Sequence, residues 1–331
     1  MHSGGVERRR LSLAEKLDPK RFEQILICTE ASPELKARFE RAGCPVTAVG
    51  PMRSGLDRKP IASAARALRA FAPDIVHGAV YEGVILAALA GRLARVPIIV
   101  GEETIYPVGR RWSGHLYYRL LAALTHRMVA ISGAVAAYLI GTLPVPGSRV
   151  RLIYNGVREP EPASADQVAD IRKRFGLAPD ALVVATVGRL AAPRGLAPDS
   201  HKRMGDAILA MEGVVRECPN ARLLIVGDGP DRAVLEGLAA SRGLTDAIVF
   251  AGFQPDMRPL FEAMDLLVHT AASEGVSLVI VEAMLAGLAV VAASVPGVAE
   301  VVEDGKTGYL VAPRAPEALA ARSVELLGDP G

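Results

Sequence analysis

Short apolar, β-branched runs alternate with helical patterns along nearly the whole chain, and this alternation leaves few folds open. In the first half the strand candidates are "EQILIC", "VTAV", "DIVH", "PIIVG", "HRMVAI" and "RVRLIY". Helical patterns such as "PIASAARALRAF" and "YEGVILAALAGRLA" separate them. A second series reads "ALVVATVG", "RLLIVG", "AIVFAG", "DLLVHT", "AVVAAS" and "GYLV", again with helices between. Runs of this kind are βαβ units, which build parallel sheets with helices on both faces. A chain of 331 residues favours two such domains over one. The expected organisation is a first α/β domain over 1–158, a linker over 159–179 that is rich in Pro and Glu and then helical, and a second α/β domain over 180–331, facing each other across a cleft. Open α/β sheets take their ligands at the carboxyl ends of the strands.

Bulk composition excludes several classes. Half the residues are apolar and 22% are charged, an ordinary globular balance. Cys28, Cys44 and Cys218 lie far apart without CxxC spacing, which argues against a disulfide framework or a cysteine zinc site and fits a reducing cytoplasm. The longest apolar stretch, "VILAALAGRLARVPIIVG", is interrupted by arginines, so no membrane span is expected. The N-terminus lacks a signal-peptide layout. The net charge of +2 hides a split: residues 1–158 carry 23 Lys+Arg against 12 Asp+Glu, and the remainder 15 against 24. The basic half suits an anionic membrane surface or a phosphorylated substrate, with a solvated arginine-rich surface as the alternative. No nucleic-acid partner is expected.

Several motifs carry chemistry only in combination. "VVATVGRL" ends a strand in Gly188-Arg189, where a glycine admits close backbone approach and an arginine can fork onto a phosphate. In "DSHKRMGDAI", Lys202 precedes a helix, so ammonium and helix dipole together would face an anion. Taken alone, each residue reads as a surface cation. "RLLIVGDGP" is a strand running into a turn, but it lacks a full GxGxxG and speaks against a nicotinamide enzyme. There is no GxxxxGK[ST], HExxH or GxSxG, and the histidines are scattered, so a P-loop kinase, a metal site and an α/β-hydrolase are disfavoured.

The stretch "AASEGVSLVIVEAMLAG", 271–287, is the most informative. The helix is expected to begin near Ser277, which leaves Glu274 and the amides of Gly275, Val276 and Ser277 at a strand's carboxyl end as an anion pocket. Glu282 falls within an otherwise apolar helix. Burying an unpaired carboxylate costs several kcal/mol, whereas helix propensity separates ordinary residues by at most about 0.7 kcal/mol. Propensity therefore does not explain an acid here. Glu282 either reaches a tertiary partner or faces a ligand's hydroxyls, and the run leaves both open.

Together these residues resemble the retaining glycosyltransferases of family 4, the "group 1" enzymes with the GT-B fold of two Rossmann-like doubly wound domains. Glu274 and Glu282 match the family's E-x7-E motif inside "SEGVSLVIVEAMLAGLAVVAASVPGVAEVVEDGKTGYLV". "VGRL", "HKRMGDAI", "LLIVGDGP" and "VFAGFQPDMRPLFEAMDLLV" match in order before it, and "SGGVE", "PDIVH", "VAISGAV" and "LIYNGV" match in the first domain. The resemblance implies transfer of a sugar from a nucleotide-diphospho-sugar, with UDP or GDP as carrier and the anomeric configuration retained. The acceptor would be a saccharide or a lipid-linked molecule in cell-envelope or exopolysaccharide synthesis. It implies a cytoplasmic protein, peripheral at the inner face of the plasma membrane. No cofactor is implied, because the nucleotide-sugar is itself the donor substrate.

By the same resemblance, Arg189 and Lys202 would balance the diphosphate, with Gly188 beside them. Glu282 would accept hydrogen bonds from the ribose. Glu274 would grip the donor sugar, helped by the amides of Gly275, Val276 and Ser277. Val249 to Gly252, with Phe253, would line the base pocket. Gly4, Gly5, Glu103 and Thr104 would lie on the acceptor side. Front-face displacement, in which the leaving phosphate takes the acceptor's proton, needs neither a metal nor a carboxylate dyad, so the two glutamates are not a glycosidase acid and nucleophile.

The sequence departs from the family pattern at three places. Many members carry a histidine where Glu103 or Thr104 falls. The basic residue after "GRL" has two candidates, Arg194 and Lys202, of which Lys202 has the better following helix. A strand before the glycine pair and a C-terminal crossover helix, both usual in the family, are not read in the chain. That last departure motivates a competing expectation of a non-catalytic nucleotide-binding or partner module. A GT-B epimerase fits the fold but not the E-x7-E block.

Overall fold

The computed structural model describes residues 5–107, 112–157, 159, 161–191, 199 and 201–328. It divides into two compact units, Met1–Asn155 and Gly156–Gly331. Each strand candidate overlaps a strand, and every ladder is parallel.

In the first unit, β1 (Leu26–Cys28) pairs with β2 (Val46–Ala48). A separate four-stranded sheet runs in the order β3 (Ile75–Ala79), β4 (Ile98–Glu103), β5 (Arg127–Ala130), β6 (Val150–Leu152). The helices are α1 (Gly5–Lys16), α2 (Pro33–Arg41), α3 (Arg58–Phe71), α4 (Val80–Ile85), α5 (Gly91–Ala94), α6 (Trp112–Leu124) and α7 (Gly133–Ala137). A π-helical turn, Leu86–Ala90, joins α4 to α5. Local signals set the helix starts. Ser32 accepts a hydrogen bond from the Leu35 amide at 3.3 Å, and Pro33 pre-sets the first turn of α2. Ser132 does the same for α7, accepting from Val135 at 3.2 Å. Strands of a parallel sheet are covered on both faces, and the core divides accordingly. Tyr118, Leu121, Met128 and Leu139 pack in one cluster, and Ile61, Ala64, Leu68 and Leu86 in another, on which Ile27 of β1 and Val76 of β3 both rest.

The second unit has one six-stranded sheet in the order β12 (Tyr309–Val311), β11 (Ala289–Ala293), β10 (Leu266–His269), β7 (Leu182–Val187), β8 (Ala221–Val226), β9 (Ile248–Gly252). Its helices are α8 (Ala165–Arg174), α9 (Met204–Glu217), α10 (Arg232–Ser241), α11 (Arg258–Glu262), α12 (Leu278–Leu285) and α13 (Pro316–Gly328). Side chains alternate across the pleat. Val184, Leu223, Ile225 and Val268 meet Ile208, Met211, Leu235 and Leu319 of α9, α10 and α13. Val183, Ala185, Leu224 and Leu267 meet Ile171, Leu260, Ile280 and Ala283 of α8, α11 and α12.

The stretch expected as a linker, 159–179, contributes a packed helix to this unit. A reciprocal capping box starts α8: Ser164 Oγ accepts from the Gln167 amide at 3.3 Å, and Gln167 Oε1 accepts from the Ser164 amide at 2.8 Å. Ile171 and Leu177 then bury their side chains in the core. A polar, Pro-rich stretch reads as a linker because its few apolar residues are spaced for burial only once the helix forms.

Candidate functional site

In the second unit the chain runs from β7 outward to β8 and β9, then returns to lay β10, β11 and β12 on the other side of β7. The order therefore reverses between β7 and β10. Loops leaving adjacent strands at such a point diverge, and the crevice between them is where a doubly wound sheet holds a ligand. Of the predicted donor residues, Gly188, Arg189, Lys202, Glu274, Gly275, Val276 and Ser277 lie between these two strand exits and the helices that follow them, whereas Glu282 lies on α12 and Phe253 follows β9.

The β7 exit is packed backbone against backbone. The Gly188 amide donates to Val226 O at 2.9 Å, and the Gly227 amide to Gly252 O at 2.9 Å, so the ends of β7, β8 and β9 are laced together. A Cβ at Gly227, whose φ is +139°, would stand 1.8 Å from Gly188 O. A Cβ at Gly188 would itself meet Met204 Cε at 2.9 Å and Lys202 Cδ at 3.5 Å. What crowds Gly188 is thus the Gly227 turn and the Met204 side chain, with Lys202 in ordinary contact beside them. Arg189, the next residue, is exposed.

Two hydrogen bonds tie the β10 exit to the segment before α9. Thr270 Oγ1 donates to Lys202 O at 2.9 Å, and the Ala272 amide donates to His201 O at 2.9 Å. These bonds bring Lys202 beside Glu274, and the ammonium forms an ion pair with that carboxylate. His269, 4% exposed at the end of β10, places Nε2 at 3.3 Å from Glu274 Oε1 and 3.1 Å from Ser277 Oγ. Burial pushes the Glu274 carboxyl up, but Lys202 and His269 together outweigh it and hold the group well below the usual carboxylate range. Glu274 is therefore a fixed anion, already oriented by two side chains.

The helix-dipole expectation for Lys202 is corrected. The first amides of α9, Met204 N and Gly205 N, donate to the Asp199 carboxylate at 2.6 and 2.7 Å. Asp199 thus neutralises that terminus, which leaves the Lys202 ammonium without the helix dipole beside it. The N-terminus of α12 differs. Ser277 has an extended backbone and caps the helix without a side-chain hydrogen bond, because its hydroxyl is turned to His269. Gly275 and Ser277 are buried and Val276 half-buried in front of this helix. Glu282 is half-buried on α12, whose fully buried flank is Ile280 and Ala283.

Phe253 follows β9 and is 56% exposed. Arg194 lies outside the described residues. Two residues at the site escaped the sequence reading. His269 looked like one of several scattered histidines; its signal was a polar pair, His269-Thr270, closing an otherwise apolar strand. Gly297 supports the glutamate loop: a Cβ there would stand 2.1 Å from Gly275 O and 2.6 Å from Glu274 O. Among the described residues, no group of three or more His, Cys, Asp and Glu is placed to hold a metal ion.

On the first unit, Glu103 and Thr104 are adjacent at the carboxyl end of β4. Glu103 is 2% exposed, and its Oε1 accepts from the Thr104 amide at 3.1 Å, so this acid organises its own loop. The preceding Glu102 is equally buried and takes Arg9 and Arg10 of α1, with His77 Nε2 at 3.0 Å. Burial and the two guanidiniums hold the His77 imidazole down to about 3, so it is neutral at ordinary pH. Gly5 is the exposed first residue of α1, and Gly4 lies outside the described residues.

Comparison with known proteins gives a consistent result. Residues 181–329 match the family model "Glycosyl transferases group 1", and residues 3–159 match "Glycosyltransferase Family 4". The alpha-D-kanosaminyltransferase of Streptomyces kanamyceticus is 37% identical over 194 residues, covering 56% of this chain and 47% of that protein. The D-inositol 3-phosphate glycosyltransferase of Acidothermus cellulolyticus is 32% identical over 259 residues, covering 75% and 55%. The chain spans about half the length of the curated relatives it matches. Among solved structures, HepE of Anabaena in complex with UDP-glucose superposes with a TM-score of 0.79 at 25% identity, covering 96% of this chain and 85% of that one.

Proposed function

The chain belongs to the group 1, family 4 glycosyltransferases, and from that premise we propose that it moves a sugar from a nucleotide-diphospho-sugar to a saccharide or lipid-linked acceptor with retention of configuration. The single observation that carries the reading is the Lys202–Glu274 ion pair at the crevice between the β7 and β10 exits. A cation and an acceptor-only carboxylate side by side suit a ligand with a diphosphate at one end and hydroxyls next to it. UDP is the favoured carrier, because HepE is solved with UDP-glucose.

Lys202 keeps two further N–H donors for a phosphate after pairing with Glu274, and the exposed Arg189 supplies a second cation. The first-turn amides of α12 point positive dipole at the same space. Glu274 accepts from donor-sugar hydroxyls and Glu282 from the ribose. Phe253 lies at the base end with Val249 to Gly252. Arg194 is the second candidate cation for the diphosphate. Gly4, Gly5, Glu103 and Thr104 are the candidates for the acceptor side.

The reaction asks for fixed positive charge where charge develops. The acceptor hydroxyl approaches the anomeric carbon on the face that the diphosphate leaves. The bond from that carbon to the phosphate oxygen breaks as the new glycosidic bond forms, and the acceptor's proton passes to the departing phosphate oxygen. The protein's part is to hold the diphosphate and the sugar through this exchange. A lipid-linked acceptor, and contact of the basic first domain with an anionic membrane from the cytoplasmic side, fit the charge split along the chain.

Glu282→Ala should abolish turnover of the nucleotide-sugar while the unfolding temperature stays near wild type; unchanged turnover would overturn the ribose assignment. Lys202→Ala should weaken nucleoside diphosphate binding more than nucleoside binding, and equal losses would move the phosphate role to Arg194.

A further inference from the structure

Helix α6 of the first unit is apolar on both sides. Its inner face buries Tyr118, Leu121 and Ala122. Its outer face carries Trp112, Leu116 and Leu120 at i, i+4 and i+8, with exposures of 77%, 48% and 58%. A helix on the surface of a globular domain normally turns charge outward, and here the exposed polar residues are Ser113 and Arg119. Tyr117 Oη donates to Gly55 O at 2.5 Å and fixes the neighbouring loop against the helix. That loop presents Leu56, 68% exposed, with Arg53, Arg58 and Lys59 exposed around it.

The charge around this face is one-sided. Between residues 83 and 157 the chain has eight arginines and two acids, and both acids, Glu102 and Glu103, are 2% exposed. Outside that window the nearest acids in sequence are the exposed Glu82 and Asp74 on one side and the exposed Glu159 and Glu161 on the other; the Leu56 loop itself carries half-buried Asp57. Trp, Leu and Arg on one surface match the layers of a bilayer's head-group region: indole at the interface, leucines toward the acyl chains, guanidiniums on lipid phosphates. A second copy of this chain fits poorly, because a two-fold contact would bring like charges together at Arg119 and at Arg53, Arg58 and Lys59.

We propose that the outer face of α6, with Leu56 and its basic neighbours, docks onto an anionic bilayer and lies within the head-group layer. At 13 residues α6 is too short to cross a membrane, and no described helix is long and apolar enough to do so. The proposal rests on the reading of a membrane-linked acceptor and names the side chains that reach the lipid. The docking face begins eight residues after Thr104, at the strand end assigned to the acceptor, so docking holds that strand end close to the lipid.

Trp112 is the chain's single tryptophan, so its fluorescence reports this face alone. The full chain is mixed with phosphatidylcholine vesicles, with and without phosphatidylglycerol. With phosphatidylglycerol present, Trp112 emission should shift to shorter wavelength, lipids brominated near the head group should quench it, and added salt should reverse both effects. Leu116→Ser with Leu120→Ser should lower partitioning by roughly tenfold or more, while the thermal shift given by UDP is unchanged. If that pair does not fold, Arg119→Glu serves, with loss of the preference for anionic vesicles expected. Three results overturn the proposal: no association with anionic vesicles, association without a change at Trp112, or a lipid-independent shift that grows with protein concentration and marks self-association. None of these readouts uses sugar transfer, so an active chain that ignores vesicles, or an inactive one that binds them, separates this proposal from the catalytic one.

Discussion

Gly297→Ala tests how the glutamate loop is held. The added Cβ would stand 2.1 Å from Gly275 O and 2.6 Å from Glu274 O. Carbon and oxygen normally approach to ~3.3 Å, so a gap of about 1.2 Å must open at the closer contact. The φ of Gly297 is outside the left-handed region, so alanine meets no backbone penalty and the effect is contact alone. One side of the contact is anchored, because Val295 and Val298 flank Gly297 with 4% and 0% exposure in the core. The peptide at 274–275 is the part that yields, and it carries Glu274 away from Lys202. A misplacement of ~1 Å in a positioning group costs about 100-fold in rate, or about 2.7 kcal/mol in transition-state stabilisation. Steady-state release of UDP from a UDP-sugar, together with thermal unfolding, reads both effects. The expected result is kcat/KM down about 100-fold with a stability loss of about 1–3 kcal/mol. Gly287→Ala is the control: φ there is +79° with nothing within 4 Å, so it costs about 1 kcal/mol of stability and leaves kinetics alone. If Gly297→Ala turned over within a few-fold of wild type, Glu274 would not need its placement beside Lys202.

The charge state of Glu274 gives a pH prediction. Its folded carboxyl titrates below its ordinary value of 4.5, so its stabilising contribution is fully present above that pH and is lost as pH falls through the lower folded value. Glu274→Gln should flatten the acid limb of a stability-versus-pH curve below about pH 4.5; an unaltered limb would contradict the ion pair. Lys202→Ala removes the largest charge holding that carboxyl down, so Glu274 should titrate higher by carboxylate NMR in the ligand-free protein. Asp199→Ala frees two amides at the start of α9 and should cost about 1–2 kcal/mol in urea unfolding. Asp199→Asn, which keeps one acceptor oxygen, should recover part of that loss.

The strands among the described residues were legible because most are apolar runs, as parallel strands covered on both faces must be, and helices with a different period separate them. Glu274, Glu282 and Gly188 could be picked out because each is an unusual residue at a strand exit or in an apolar run; Lys202, alone a surface cation, stood out only through the family motif. The 159–179 stretch was legible as Pro-rich and then helical but not as packed: a short helix with one or two buried side chains looks like solvent-exposed chain until the core it joins exists. The tertiary structure decided which residues meet. Sheet order put the β7 and β10 exits side by side, although Val187 and His269 are 82 positions apart in a chain that visits two other strands between them. That order paired Lys202 with Glu274 and turned His269 from a strand residue into a partner of both Glu274 and Ser277. It also gave the α9 amides to Asp199, which no local pattern announces. Composition and period determine what each segment becomes, because they act over a few residues. Which charges neutralise one another depends on distances in space, and only the packed sheet sets those.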